Sequence, residues 1–281
     1  MIIFKKPRDI ILFLSKKLNN NISVGFVPTM GALHMGHIAL VKKAVNDNDT
    51  SVCSIFVNPS QFNDPKDFEK YPRTLENDVY LLEKAGCDVL FLPTPAEIYP
   101  DGMQAKRHYD LDSLEDTLEG KYRPGHFQGV CQVVHRLLEI VNPDKLYIGQ
   151  KDFQQCLVIK KLVELLNFKT DIIISPTLRE ADGLAMSSRN LRLSPEDRTR
   201  ANNIYKALLE IQNTLPEKNI SALKETAVKR LTKEGFKVDY IEIADRDNLV
   251  LKNDSDDKTN LVALAAAFLN NVRLIDNIIL N

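Results

Sequence analysis

From residue 23 to residue 175 the chain alternates short apolar runs with longer amphipathic stretches, a rhythm that a parallel sheet with crossover helices satisfies. Strand-like runs fall at 23–27, 50–57, 89–92, 145–148 and 170–175, and helix-like patterns at about 36–45, 74–85, 130–141 and 153–166. Parallel neighbours cannot be joined by a hairpin, so each pair needs a crossover long enough to hold a helix. Open sheets of this kind bind ligands beyond the carboxyl ends of their strands, and His34, Asn58, Gln61 and Lys151 all follow predicted strands. After Pro176 the pattern changes. Arg179-Glu180-Ala181-Asp182-Gly183 reads as a polar loop, Ser194-Pro195-Glu196 as a helix start, and two polar helices follow. Strands are predicted at 238–243, 261–268 and 272–275, with an exposed turn at 253–258. The expected architecture is α/β: a Rossmann-like, doubly wound parallel sheet over 1–176 that binds nucleotide, and a smaller α+β C-terminal domain over 177–281.

Composition narrows the partners. The chain has 281 residues, of which 44% are hydrophobic, enough for a substantial core. Lys+Arg 37 against Asp+Glu 38 gives a net charge of -1, so no basic field points to nucleic acid and any anionic ligand must be held by local groups. Cys53, Cys87, Cys131 and Cys156 lie far apart in apolar segments, which reads as buried reduced thiols. The run Met1-Ile2-Ile3-Phe4-Lys5-Lys6-Pro7 has no signal-peptide pattern, and the apolar stretch 261–269 is too short to span a bilayer. A cytoplasmic protein without a membrane segment is expected.

The chemistry concentrates where strands hand over to helices. Val24-Gly25-Phe26-Val27 breaks at Pro28 into Thr29-Met30-Gly31-Ala32-Leu33-His34-Met35-Gly36-His37, and an amphipathic stretch begins there. Free N–H groups and the positive dipole end of a helix favour phosphate, and histidine adds a directional donor. A P-loop would need Lys and then Ser or Thr after the second glycine, where His37 and Ile38 stand instead. A metal site on His34 and His37 is the weaker reading, because no carboxylate or cysteine follows within a turn.

Further constellations repeat the theme. Gly149-Gln150-Lys151-Asp152-Phe153 again joins a strand to a helix, with Lys151 a compact cation suited to phosphate; alone, the segment equally fits an N-cap beside a solvated lysine. Met186-Ser187-Ser188-Arg189 offers two hydroxyls and a guanidinium as an anion clamp, or an ordinary surface turn. The amides of Asn58 and Gln61 suit hydroxyls or a carboxylate. His126, in Arg123-Pro124-Gly125-His126-Phe127-Gln128-Gly129, fits a structural role as well as a catalytic one, and Glu76 and Asp78, after Tyr71-Pro72-Arg73-Thr74, are candidate holders of Mg2+.

Taken together these segments, with Gln154, Gln155 and Arg273-Leu274-Ile275-Asp276-Asn277, resemble the pantothenate synthetase (pantoate-β-alanine ligase) family over nearly the whole chain, within the wider H-x-G-H nucleotidyltransferase-like class. One departure is Gln150, where many members carry glutamate. The resemblance implies an AMP-forming ligase that makes pantothenate from pantoate and β-alanine with ATP and Mg2+, through a pantoyl-adenylate. It implies ATP contacts at Met30, Gly31, Ala32, Leu33, His34, Met35, Gly36, His37, Gly149, Gln150, Lys151, Asp152, Leu178, Met186, Ser187, Ser188 and Arg189. His37, His34 and Lys151 would be catalytic, with His37 a proton donor; Gln61, Gln155 and Asn58 would bind pantoate, Gln61 also β-alanine, and Asp78 the metal. A homodimer and a lid-like C-terminal domain are implied too. Two other readings remain: a transferase that passes AMP or CMP to a phosphorylated acceptor and stops, and a nucleotide-binding protein without catalysis.

Overall fold

The computed structural model describes residues 1–18, 21–63, 65–103, 107–215 and 217–280, and the chain divides into two compact units, one of 1–149 with 158–176 and the other of 150–157 with 177–281. The first holds a six-stranded, wholly parallel sheet. In chain order its elements are β1 (Ile2–Phe4), α1 (Pro7–Leu18), β2 (Val24–Thr29), α2 (Met35–Asp47), β3 (Thr50–Ile55), the short helix α3 (Pro65–Glu69), α4 (Leu75–Lys84), β4 (Val89–Phe91), the single turns α5 (Pro95–Ile98) and α6 (Glu119–Tyr122), α7 (His126–Val141) and β5 (Lys145–Gly149). Helix α8 (Phe153–Leu165) and β6 (Asp171–Ser175) complete the series.

Strand order is β1-β4-β3-β2-β5-β6, so the winding reverses at β2, which pairs with β3 on one side and β5 on the other. The reversal opens a crevice at the carboxyl ends of β2 and β5. β3 is buried at every position and β2 at all but Pro28, as strands covered on both faces should be. Pro28 lies past the last β5 pairing, Phe26↔Leu146, so its missing N–H interrupts no ladder on that side. The predicted strands and helices are present with small shifts at their ends, and α7 begins earlier than its apolar pattern, at His126, because Gly125 turns left-handed (φ 78°) just before it. The sequence reading missed β1, a three-residue edge strand held to β4 by main-chain pairing, with Phe4 packed on Phe13 of α1 at 5.2 Å.

The second unit contains α9 (Pro195–Arg200), α10 (Asn203–Thr214), α11 (Ile220–Lys233) and the antiparallel sheet β7 (Phe236–Asp245), β8 (Leu261–Leu269) and β9 (Val272–Ile279), in the order β7-β8-β9. Three helices stand where two were expected, because α9 and α10 are separated only by Ala201 and Asn202. Ser194 caps α9, its hydroxyl accepting the Asp197 N–H at 3.0 Å with Pro195 in the first turn. The core joins Ile204, Leu208 and Ile211 of α10 and Leu223 and Leu231 of α11 to Ile241, Ile243, Leu261 and Ala263, Ala265 and Ala267 of β8. β9 runs to Ile279, further than predicted, which places Asp276 and Asn277 on the strand. Among the described residues no helix is long and apolar enough to cross a membrane.

Candidate active site

The β2–α2 junction is a left-handed turn, with φ 78° at Gly31 and 48° at Ala32. Asp78 of α4 holds it: one carboxylate oxygen accepts the Ala32 N–H at 2.9 Å, the other the Leu33 N–H at 2.8 Å and the Thr74 hydroxyl at 2.9 Å. A Cβ on Gly31 would sit 3.1 Å from that carboxylate, so close approach and backbone angle both call for glycine. Asp78 is 1% exposed and its oxygens are engaged by the turn, so Mg2+ coordination there would compete with the amides that shape the loop. Among the described residues no group of three or more His, Cys, Asp or Glu is arranged to hold a metal ion.

His34 is the N-cap of α2. Its Nδ1 accepts the Gly36 N–H at 3.1 Å while Nδ1 of His37 accepts the His34 N–H at 3.3 Å, a capping box built from two imidazoles whose centroids lie 4.0 Å apart. A ring nitrogen that accepts carries no proton, so each neutral ring bears its hydrogen on Nε2, the nitrogen suited to donate to a phosphate oxygen.

Beside this turn lies Gln61, at the end of a 3-10 turn over Pro59–Gln61. Its Nε2 donates to the Met30 sulfur, which links it to the β2 loop. Its main-chain carbonyl accepts from His126 Nδ1 at 2.7 Å and from Arg123 at 3.4 Å. Gly129 of α7 presses on the same turn so closely that a Cβ there would lie 2.3 Å from the Ser60 carbonyl. Asn58 is 1% exposed: its Oδ1 accepts the Ser60 N–H, the Ser60 hydroxyl and the Tyr99 phenol, and its Nδ2 donates to the Gly129 carbonyl and to Gln61 Oε1. The Asn58 amide thus bonds within the protein and shapes the turn that carries Gln61, and contact with pantoate would have to replace one of these bonds.

The remaining candidates belong to the second unit. A 3-10 turn over Gln150–Asp152 leads into α8; Lys151 is 16% exposed at its side chain with Nζ 3.6 Å from Asp152, and Gln155 is half-buried. Asn277 of β9 donates through Nδ2 to the carbonyls of Gln150 at 3.0 Å and Lys151 at 2.9 Å, and accepts from Gln150 Nε2 at 3.1 Å. The loop from Leu178 to Arg189 folds back on itself: Arg179 bridges Ala185, the Met186 N–H reaches the Leu178 carbonyl at 3.0 Å, and Gly183 (φ 93°) makes the bend. Leu178 is exposed, Ser188 is buried, and Ser187 accepts the Arg189 N–H at 3.3 Å.

Arg179 anchors this loop. It forms a two-pronged pair with Asp276 at 2.7 and 3.1 Å, donates to the carbonyls of Gly183 and Asn277, and lies 3.8 Å over the Tyr205 ring. Burial raises the Asp276 carboxyl above its ordinary value while Arg179 pulls it down. Neither Arg179 nor Asp276 was singled out as a site residue by its own chemistry; the only hint was Asp276-Asn277 within the family-like C-terminal motif. Thiol catalysis finds no support in the four buried cysteines: burial pushes Cys131 to about 12 and Cys87 to about 11, far from a neutral-pH nucleophile.

The family model described as Pantoate-beta-alanine ligase matches residues 3–279. The chain belongs to the pantoate-β-alanine ligase family. The pantothenate synthetase of Cytophaga hutchinsonii is 46% identical over 283 residues, covering 100% of this chain and 99% of that one. The pantothenate synthetase of Pseudomonas fluorescens is 46% identical over 279 residues, covering 99% and 97%. Among solved structures, pantothenate synthetase from Thermus thermophilus superposes with a TM-score of 0.92 at 39% identity, covering 100% of this chain and 99% of its own. Pantoate-β-alanine ligase from Francisella tularensis, complexed with β-γ ATP and β-alanine, gives 0.83 at 39% identity, with 99% and 97% covered. The parallel sheet agrees with the α/β class read here from the sequence, and the smaller C-terminal unit, expected as α+β, carries an antiparallel sheet.

Proposed function

We propose that the chain condenses pantoate with β-alanine, using ATP, to give pantothenate, AMP and pyrophosphate. Membership of the pantoate-β-alanine ligase family over residues 3–279 carries this reading, and the Francisella tularensis relative complexed with β-γ ATP and β-alanine supports the substrate class.

In the first step the pantoate carboxylate attacks the α-phosphorus of ATP and pyrophosphate leaves, giving a pantoyl-adenylate. Negative charge grows on phosphoryl oxygens, and donors fixed beforehand lower that barrier most. His34 and His37 are assigned to those oxygens through Nε2–H, and Lys151 as a compact charge, with Ser187, Ser188 and Arg189 as further donors. His37 carries the proton-donor role. Met30 to His37, Gly149 to Asp152, Leu178 and Met186 complete the nucleotide contacts. In the second step the β-alanine amine attacks the activated acyl carbon and AMP departs. Gln61 and Gln155 are assigned to pantoate, Gln61 also to β-alanine, and orientation dominates this step.

Mg2+ is proposed as a companion of ATP, where it would spread the phosphate charge; Asp78, the carboxylate expected to hold it, also accepts the Ala32 and Leu33 amides of the turn. A homodimer in the cytoplasm is proposed on the family resemblance. The deciding experiment follows pyrophosphate release from ATP and Mg2+ with pantoate, with and without β-alanine, and identifies products by mass. Pantothenate and AMP formed only with all substrates support the ligase. Pyrophosphate without pantoate, or none at all, hands the function to a transferase or a silent binder.

A further inference from the structure

We infer that Asn277 is a positioning residue for Lys151, and that Gln150 completes the hydrogen bonds that fix the Asn277 amide. The inference rests on the proposed role of Lys151 at the ATP phosphates. Three residues in a 3-10 turn join β5 to α8, each with one main-chain carbonyl. Two of them, on Gln150 and Lys151, accept from the single Nδ2 of Asn277 at 3.0 and 2.9 Å. That nitrogen has two hydrogens and both are used, so the amide has one orientation and Oδ1 must face Gln150. Only a donor suits that place, and Gln150 supplies Nε2 at 3.1 Å.

Asn277 is itself fixed. It is 2% exposed, sits opposite Leu264 in the β8–β9 register, and its N–H donates to Asp276 Oδ1 at 2.8 Å. The rigid strand therefore dictates the carbonyl direction at 150 and 151, and in so short a turn that direction sets where the Lys151 Cα–Cβ bond points. Lysine reaches its ligand on a flexible four-carbon stem and cannot correct a misplaced base without losing more rotamer freedom. Glutamate at 150 would set a carboxylate against Oδ1, and aspartate at 277 would set one against two carbonyls.

The test is a double-mutant cycle on pyrophosphate release, with KM for ATP and kcat resolved and thermal unfolding recorded for every variant. Asn277→Ala is expected to lower kcat/KM for ATP by about 10- to 100-fold, and Lys151→Ala by at least as much. Adding Asn277→Ala to Lys151→Ala is expected to cost little more, since the residue to be positioned is gone. Losses that multiply would overturn the inference, because a general structural role damages the lysine-free enzyme as well. Full activity in Lys151→Ala would instead remove the phosphate reading beneath it. Gln150→Glu disturbs one side-chain bond only and serves for the cycle if Asn277→Ala does not fold; it is expected to lose several-fold in kcat/KM for ATP, and wild-type behaviour there overturns the claim about residue 150.

Discussion

His34 and His37 cap the same helix through each other: Nδ1 of His37 accepts the His34 N–H at 3.3 Å while Nδ1 of His34 accepts the Gly36 N–H at 3.1 Å. Both rings are thereby oriented before any nucleotide arrives. His37→Ala is expected to lose about 100-fold or more in adenylation and about 1 kcal/mol of stability from the lost cap. Pyrophosphate release and thermal unfolding measure the two effects; near-normal turnover would refute the assignment.

Asp78→Asn replaces an acceptor by an amide whose NH2 faces main-chain donors in a site 1% exposed. The expected cost is about 1–3 kcal/mol of stability, with a weaker ATP-dependent step because the left-handed turn relaxes. Excess Mg2+ should restore nothing. Recovery on Mg2+ titration would return Asp78 to the metal.

Asn58→Asp keeps the acceptor used by Ser60 and Tyr99 but removes the donor to Gln61 and Gly129. KM for pantoate is expected to rise about tenfold, following a net loss of roughly 1–1.5 kcal/mol, with KM for ATP unchanged. Combined with Gln61→Ala it should add little. Steady-state kinetics with each substrate varied would expose a direct role of Asn58 as a further loss in the double variant.

Asp197 concerns acid stability. The Asn270 amide, donating at 2.9 and 2.8 Å, is the leading cause that holds its carboxyl below the ordinary range, with Ser194 and Arg200 assisting. The folded state therefore keeps the charged form better than the unfolded chain does. That stability is complete above the ordinary aspartate range and is lost as pH falls through the lowered value. Asn270→Ala should move the acid midpoint of unfolding upward; an unchanged midpoint in circular dichroism would contradict this.

Much of the fold was legible because burial imposes a period. The apolar run Val89-Leu90-Phe91 of β4 and the spacing along α7 could be read directly, and glycine with histidine at a strand end pointed to the α2 turn. What escaped was short or, like α1, lay before the first predicted strand. β1 is three residues fixed by main-chain pairing, and α9 and α10 merged because two residues part them. In the site, residue type was visible and partnership was not: the sequence gives no sign of the five bonds of Asn58, nor of the bonds that Ala32 and Leu33, 46 and 45 residues away, make to Asp78.

Asn277 joins the main chain at Lys151 across 126 residues of sequence. During synthesis the lysine turn thus leaves the ribosome long before the side chain that shapes it. A nascent chain stalled before β9 can complete the parallel sheet and the histidine cap yet hold its lysine on an unfinished turn. Completion of the Lys151 turn is thereby timed to β9.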